Sequence, residues 1–363
     1  MTTLFSAWQA GTIQAANRLV RSATGEGAAT VDVGCPTPAM ANFYGTLAGG
    51  GVGLIISGHT AVSFEGRCSN TMTAFYDDAF IPAFTRMVDA VHKHNVPIVC
   101  QLNHGGRQVN PDHKGIVPLA PSAVLVEGAS HCPQELSPAE IERIIVDFGA
   151  AARRAREAGF DAVQIHSAHG YLISQFNSPL TNRRSDQWGG SASKRRSFLK
   201  AVYATIREQV GQDYPILVKQ NVSDFHPQGL TEDEAVEICR MLDGLGIAAI
   251  ELSGGIAETV PVAFRASDLR QHHEAVFFED QARRIGQVVS CPLILTGGIR
   301  TSATSERMLA EKVCTAVGFC RPFIREPDLP QKWQANSTAS AACISCGACR
   351  ADAEHCNWCP LQV

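Results

Sequence analysis

Two histidines and a tyrosine stand close together in His166-Ser-Ala-His169-Gly-Tyr171-Leu, directly after an apolar run near 162–168. If that run is a strand, all three side chains converge at its carboxyl end. Neutral imidazoles donate N–H bonds and stabilise negative charge that develops on a substrate oxygen. A phenol is a weak acid, yet it can protonate a far more basic, enolate-like carbon. The plain alternative is a pair of core histidines with satisfied hydrogen bonds, and the clustering at one strand end argues against it. A zinc site would need an Asp, Glu or Cys at ligand spacing, and none stands there.

A second group lies in the tail: Cys343-Ile-Ser-Cys346-Gly-Ala-Cys349, then Cys356-Asn-Trp-Cys359-Pro360. Cys-x-x-Cys-x-x-Cys is spacing that wraps a [4Fe–4S] cluster, with Gly347 permitting a tight turn. Two Cys-x-x-Cys pairs equally suit a tetrahedral zinc, although zinc ribbons usually leave a longer gap. Unmetallated thiols are the third reading. The chain holds 13 cysteines, and an odd count without a secretory signal argues against a disulfide framework.

The elements that must position these groups are short, β-branched-rich apolar runs near 17–23, 52–58, 96–102, 162–168, 215–221, 248–254, 292–298 and 315–321. Helical stretches separate them, some with clear starts. Ser137-Pro138-Ala139-Glu140 offers a Ser N-cap with Pro at the first helical position, and Thr231-Glu-Asp-Glu234 a capping box. Eight such strands alternating with helices predict an α/β fold, a closed (β/α)8 TIM barrel, over a doubly wound open sheet. Long connections at 103–136 and 255–275 are expected to roof the pocket. The expected division is a barrel over 1–330 and a cysteine-rich tail over 331–363. Gly297-Gly298 after the seventh strand and Arg321 after the eighth occupy the places where barrels often bind phosphate. Glycines let backbone N–H groups approach it and Arg pairs with it bidentately.

Composition sets the outer bounds. Hydrophobic residues make up 45% and charged residues 18%, enough to bury a large core. A net charge of −4 gives no electrostatic footprint for nucleic acid or an anionic membrane. No apolar run reaches the roughly 18 residues of a membrane span, and the amino terminus lacks signal-peptide regions. A cytoplasmic protein acting on a small molecule is expected. Self-association into a homo-oligomer is compatible with the sequence and specified by nothing in it.

The barrel segment resembles the Old Yellow Enzyme flavoproteins. The resemblance rests on the His-x-x-His-Gly-Tyr-Leu motif and on the later run Asn182-Arg-Arg184-Ser-Asp186-Gln-Trp-Gly189-Gly-Ser191. Asn17-Arg18-Leu-Val-Arg-Ser22, Gln101-Leu-Asn-His104-Gly-Gly-Arg107 and Thr296-Gly-Gly-Ile-Arg300 extend it. The similar branch contains 2,4-dienoyl-CoA reductase. That resemblance implies FMN, hydride taken from NADH or NADPH, and reduction of an alkene conjugated to a carbonyl. It implies that His166 and His169 hold the substrate oxygen, hydride reaches the β-carbon, and Tyr171 protonates the α-carbon. Gln101, Ala23, Thr24, Gly58, Gly297, Gly298, Cys320 and Arg321 would surround the flavin. Lys219, in the apolar Ile216-Leu-Val-Lys-Gln-Asn221, fits the same picture. A buried ammonium without a partner is costly, and an electron-rich reduced flavin would supply one, the alternative being a Lys that snorkels out of the barrel top.

Three departures stand out. Cys320 replaces the Gly that often precedes the phosphate-binding Arg. Gly25 stands where relatives often carry a Thr or Cys that tunes flavin potential. The tail cysteines match the relatives' cluster spacing only in part, and no second Gly-x-Gly-x-x-Gly unit follows of the kind larger relatives append. A cluster would therefore need an external electron donor. Two other functions remain open on sequence: a non-catalytic flavin/iron–sulfur electron-transfer or redox-sensing protein, and a phosphate-dependent aldolase or isomerase barrel without flavin.

Overall fold

The computed structural model describes residues 3–31, 33–110, 115–126, 131–259, 276–336, 338–349, 356 and 358–361. Eight parallel strands form the barrel: β1 (Leu19–Arg21), β2 (Leu54–Ile56), β3 (Ile98–Asn103), β4 (Ala162–Ser167), β5 (Ile216–Asn221), β6 (Ala249–Ser253), β7 (Leu293–Thr296) and β8 (Ala316–Phe319). Each pairs with the next, and β8 pairs with β1 through Val317↔Leu19 and Phe319↔Arg21. That last pairing closes the sheet and excludes the open arrangement. All eight predicted apolar runs are strands.

Helices α1 (Pro38–Gly49), α2 (Ile81–His92), α3 (Pro138–Glu157), α4 (Ser197–Val210), α5 (Glu232–Gly244), α6 (Glu279–Gly286), α7 (Ser302–Ala310) and α8 (Leu329–Ala335) follow the strands in turn. The predicted starts hold. Ser137 caps α3 and Thr231 caps α5, each in a full capping box with Glu140 and Glu234, a device contributing about 1 kcal/mol. Helix α8 runs across residue 330, and its Trp333 is buried edge-on against Phe319 of β8. The last turn of barrel packing thus extends into the expected tail segment.

A two-stranded antiparallel hairpin, Trp8–Ala10 with Ile13–Ala15, closes the bottom. Its Trp8, Ala10, Ile13 and Ala15 pack on one apolar layer inside the barrel, formed by Val20, Leu54, Ile56, Val99, Ala162, Leu217, Ala249, Ile294 and Ala316. Side chains alternate along a strand, so the residue two positions on points inward again. Two positions beyond Val99, Ala162, Leu217, Ala249 and Ile294 stand Gln101, Gln164, Lys219, Glu251 and Thr296, all buried. Two further on are Asn103, His166, Asn221 and Ser253. The barrel interior is thus apolar at the bottom, polar in the middle and chemically equipped at the carboxyl rim.

Candidate active site

The middle layer is one connected hydrogen-bond chain. Gln101 Nε2 donates to Gln164 Oε1 at 2.6 Å, and Gln164 Nε2 donates to Glu251 Oε2 at 2.8 Å. Lys219 Nζ donates to Glu251 Oε1 at 3.0 Å and to Ser22 Oγ at 2.9 Å, and Ser22 Oγ also bonds Glu251. Strand register explains the assembly, because Lys219 lies opposite His166 on one side and Glu251 on the other. Lys219 is therefore buried with a protein counterion rather than waiting for a cofactor to supply one. Sequence reasoning flagged the Lys in its apolar strand and passed over Glu251, which carries the same signal in Ala249-Ile-Glu-Leu-Ser253.

At the rim, the His166 ring lies 5.2 Å from His169 and 4.9 Å from Tyr171, centroid to centroid. A third imidazole, His59, sits 5.1 Å from Tyr171 and 6.2 Å from His166. His59 follows β2 directly, a position at a strand end that was the available signal. The backbone turn is strained where it delivers these groups: His169 has φ 61° and Gly170 φ 72°. The His169 amide bonds Asn221 Oδ1 at 3.0 Å, and its Nε2 lies 2.6 Å from Ser253 Oγ.

Burial keeps the imidazoles neutral. It pushes His169 down to about 3 and His59 to about 4, each helped by the Lys219 charge. It lowers His166 well below the usual range, helped by His169, His59 and Lys219. His166 Nδ1 accepts from the Ala168 amide at 3.3 Å, so its proton sits on Nε2. His59 Nδ1 faces the Asn103 amide nitrogen at 3.0 Å, which likewise leaves Nε2 as the donor. Burial raises the Tyr171 hydroxyl above the ordinary phenol range, so it holds its proton at neutral pH.

Beside this cluster opens a cavity of about 290 Å³. Ala23, Thr24, His169, Lys219 and Ser253 line it toward the cluster; Gly297, Gly298, Arg300, Cys320 and Arg321 line its other part. Gly297 and Gly298 have φ of 102° and 84°, a region where L side chains are strained. Two guanidinium groups beside such a backbone suit a phosphate. Arg300, a missed residue, also bonds Ser345 of the tail. Four predicted residues lie outside the cavity lining, and two of them, His166 and Tyr171, stand in the adjoining ring cluster. Gln101 belongs to the layer beneath. Gly58 is buried, its amide bonding Glu26 Oε1 at 2.7 Å and Tyr44 Oη at 2.8 Å. A Cβ there would fall 2.2 Å from Glu26 Oε2, so close approach explains this glycine.

The connections that follow β3 and β6 are joined by a buried ion pair, Arg107 to Glu258 at 2.8 Å. Residues 111–114, 127–130 and 260–275 of the predicted roof lie outside the described residues. The tail is fastened to the same rim: the Ala341 amide bonds Arg300 O at 2.8 Å, and Thr301 bridges Ser340. Cys343, Cys346, Cys349 and Cys359 line one small cavity with Arg321 and Arg325. Cys356 packs into the main hydrophobic core instead. Gly347 has φ 74°, the tight turn expected. Among the described residues, no three His, Cys, Asp or Glu side chains are arranged as they stand to hold a metal ion, and no helix is long and apolar enough to cross a membrane.

A closed barrel with an imidazole–phenol cluster beside a phosphate-ready cavity is compatible with a flavin oxidoreductase, and comparison with known proteins decides the class. The family model described as NADH:flavin oxidoreductase / NADH oxidase matches residues 3–339, and the chain belongs to that family. An NADH oxidase from Thermoanaerobacter brockii is 35% identical over 346 residues, covering 94% of this chain and 52% of the relative. An NADPH dehydrogenase from Geobacillus sp. is 35% identical over 287 residues, 79% of this chain and 80% of the relative. An old yellow enzyme homologue from Zymomonas mobilis superposes with a TM-score of 0.79 at 29% identity, covering 94% of this chain and 96% of that one. The chain spans about half the length of the first curated relatives it matches. FMN is the cofactor of this family, and the residues present fit it: guanidinium groups and a glycine backbone for the phosphate, and Lys219 with a donor to spare for a polar ring edge.

Proposed function

We propose that this chain is an FMN-dependent oxidoreductase that takes hydride from NADH or NADPH and reduces a C=C bond conjugated to a carbonyl. The observation that carries the reading is the neutral cluster of His166, His169 and Tyr171 beside the cavity shared by Lys219 and Arg321. FMN, when bound, supplies the hydride chemistry. The protein's part is binding, orientation and proton supply. Nε2–H of His166 donates to the substrate oxygen, with His169 held beside it by Ser253 and Asn221. Polarising that oxygen lets negative charge accumulate on it and makes the β-carbon electrophilic. Tyr171 keeps its proton until a strongly basic α-carbon develops, which is the condition under which so weak an acid transfers it. Arg321 and the Gly297–Gly298 backbone would hold the phosphate, with Ala23, Thr24, Cys320 and Gln101 around the rest. Neutrality of the imidazoles matters, because a buried imidazolium beside Lys219 would be repelled.

The test is the visible spectrum of protein purified without oxygen, before and after NADH. Two flavin bands that bleach with NADH, followed by recovery on adding an enone, are the expected result. A protein that stays colourless after FMN is added refutes it. We also propose Cys343, Cys346, Cys349 and Cys359 as the ligand set for an iron–sulfur cluster or zinc in a tail module, served by an external electron donor if it is a cluster. The support is their shared cavity and the removal of Cys356 into the core. Metal analysis of Cys349→Ala and Cys356→Ala separates them: only the first should lose metal.

A further inference from the structure

Glu251 is 0% exposed and takes hydrogen bonds from three side chains on three different barrel segments. A carboxylate only accepts, and this dictates the direction of everything attached to it. Gln164 must turn its NH2 toward Glu251 and its carbonyl toward Gln101. Gln101 must then turn its own NH2 toward Gln164, which leaves its Oε1 as the free end. On the other branch, Lys219 spends one N–H on Glu251 and one on Ser22, keeping a third for the cavity it lines.

We propose that Glu251 is a positioning residue for the cofactor. It fixes the Lys219 ammonium by direct contact and sets the amide direction of Gln101 at one remove, through Gln164. The inference rests on the FMN reading and extends it to a residue that does not line the cavity. Neither Lys219 nor Gln101 can be correctly oriented by packing alone. The ammonium has several rotamers of similar volume, and a Gln amide flips with almost no change of shape. A single buried acceptor removes both ambiguities.

Glu251→Gln tests this in the purified flavoprotein. The substituted amide can donate as well as accept, so the direction of the chain is no longer imposed. FMN should bind the apoprotein about tenfold more weakly by fluorescence titration, the loss expected for a charged hydrogen bond gone astray. The flavin midpoint potential should rise, because Lys219 is left without its counterion beside the electron-rich reduced ring. A variant of lowered thermal stability but unchanged FMN affinity and potential would show a merely structural role and overturn the proposal. If Glu251→Gln does not fold, Gln164→Leu carries the test, since it cuts the branch to Gln101 and leaves the Lys219–Glu251 pair intact. It should weaken FMN binding and shift the visible flavin bands; wild-type affinity and spectrum overturn the proposal. Wild-type protein that takes up no FMN overturns the cofactor reading and this inference with it. Wild-type binding beside unaffected variants overturns this inference alone.

Discussion

Replacing Tyr171 by Phe isolates the proton donor because the structure makes the substitution nearly silent for folding. The ring contacts with His59 and His166, at 5.1 and 4.9 Å, are available to Phe unchanged. Among the described residues the hydroxyl makes no hydrogen bond, so no buried partner is orphaned, and stability should change by no more than about 0.5 kcal/mol. General acid catalysis contributes about 10²–10⁴-fold. Tyr171 is partly exposed rather than sealed, so a water can stand in for the lost hydroxyl. That places the expected loss near the lower bound, about 10²-fold or about 2.7 kcal/mol of barrier. Rapid-mixing spectroscopy can follow the two half-reactions separately. Flavin bleaching by NADH should be unchanged in Tyr171→Phe, and recovery of the bands on adding an enone should slow about a hundredfold. Recovery within a factor of two of wild type would refute the proton-donor role. Unchanged slow recovery in both proteins would favour an electron-transfer function without alkene turnover.

The paired change His166→Ala with His169→Ala should abolish the long-wavelength absorbance that phenols produce against bound flavin; undiminished absorbance assigns the oxygen-binding site elsewhere. Arg321→Gln should release FMN about tenfold more readily, since a bidentate charged contact becomes a neutral one, and equal retention on dialysis would remove Arg321 from the phosphate site. Acid should destabilise the apoprotein. Burial holds His59 and His104 near about 4, His169 near about 3 and His166 well below its usual range. The unfolded chain therefore takes up the extra protons below about 6.5, and stability is lost as pH falls toward 4. Glu26, its carboxyl raised by burial to about 7, opposes this with one proton between about 7 and 4.5. Asp224, whose carboxyl burial also raises, acts in the same sense as Glu26, and the four imidazoles outnumber these two carboxyls, so the net effect is loss of stability as pH falls. A urea midpoint that rises between pH 7 and 5.5 would contradict it.

The barrel was legible because each strand is an apolar run buried on both sides and punctuated by capped helices. What escaped was too short or depended on pairing. The bottom hairpin has strands of only three residues, although Trp8-Gln-Ala and Ile13-Gln-Ala alternate around Gly11-Thr12, and Gly11 takes the positive φ of 59° that such a turn demands. His166, His169 and Tyr171 were readable because they are neighbours in sequence. His59 reaches the same cluster from another strand end, as a lone histidine whose position after β2 was its one signal.

Lys219 and Glu251 show where strand-by-strand reading fails. Each is a charge in an apolar strand, 32 residues apart, and each alone is costly enough to demand a partner. A charge in a buried strand therefore states a debt whose other half must lie in a strand that pairs with it. In a parallel barrel the adjacent strands are known from chain order. The register between β5 and β6 places residue 219 opposite residue 251, with only those two charged residues in the two strands. The pairing could have been inferred by asking which neighbouring strand also breaks its apolar pattern. The same question applied to β3 and β4 finds Gln101 and Gln164, also in register. The barrel's polar middle layer is thus written as matched interruptions of neighbouring strands, a signal that exists between segments and in none of them singly.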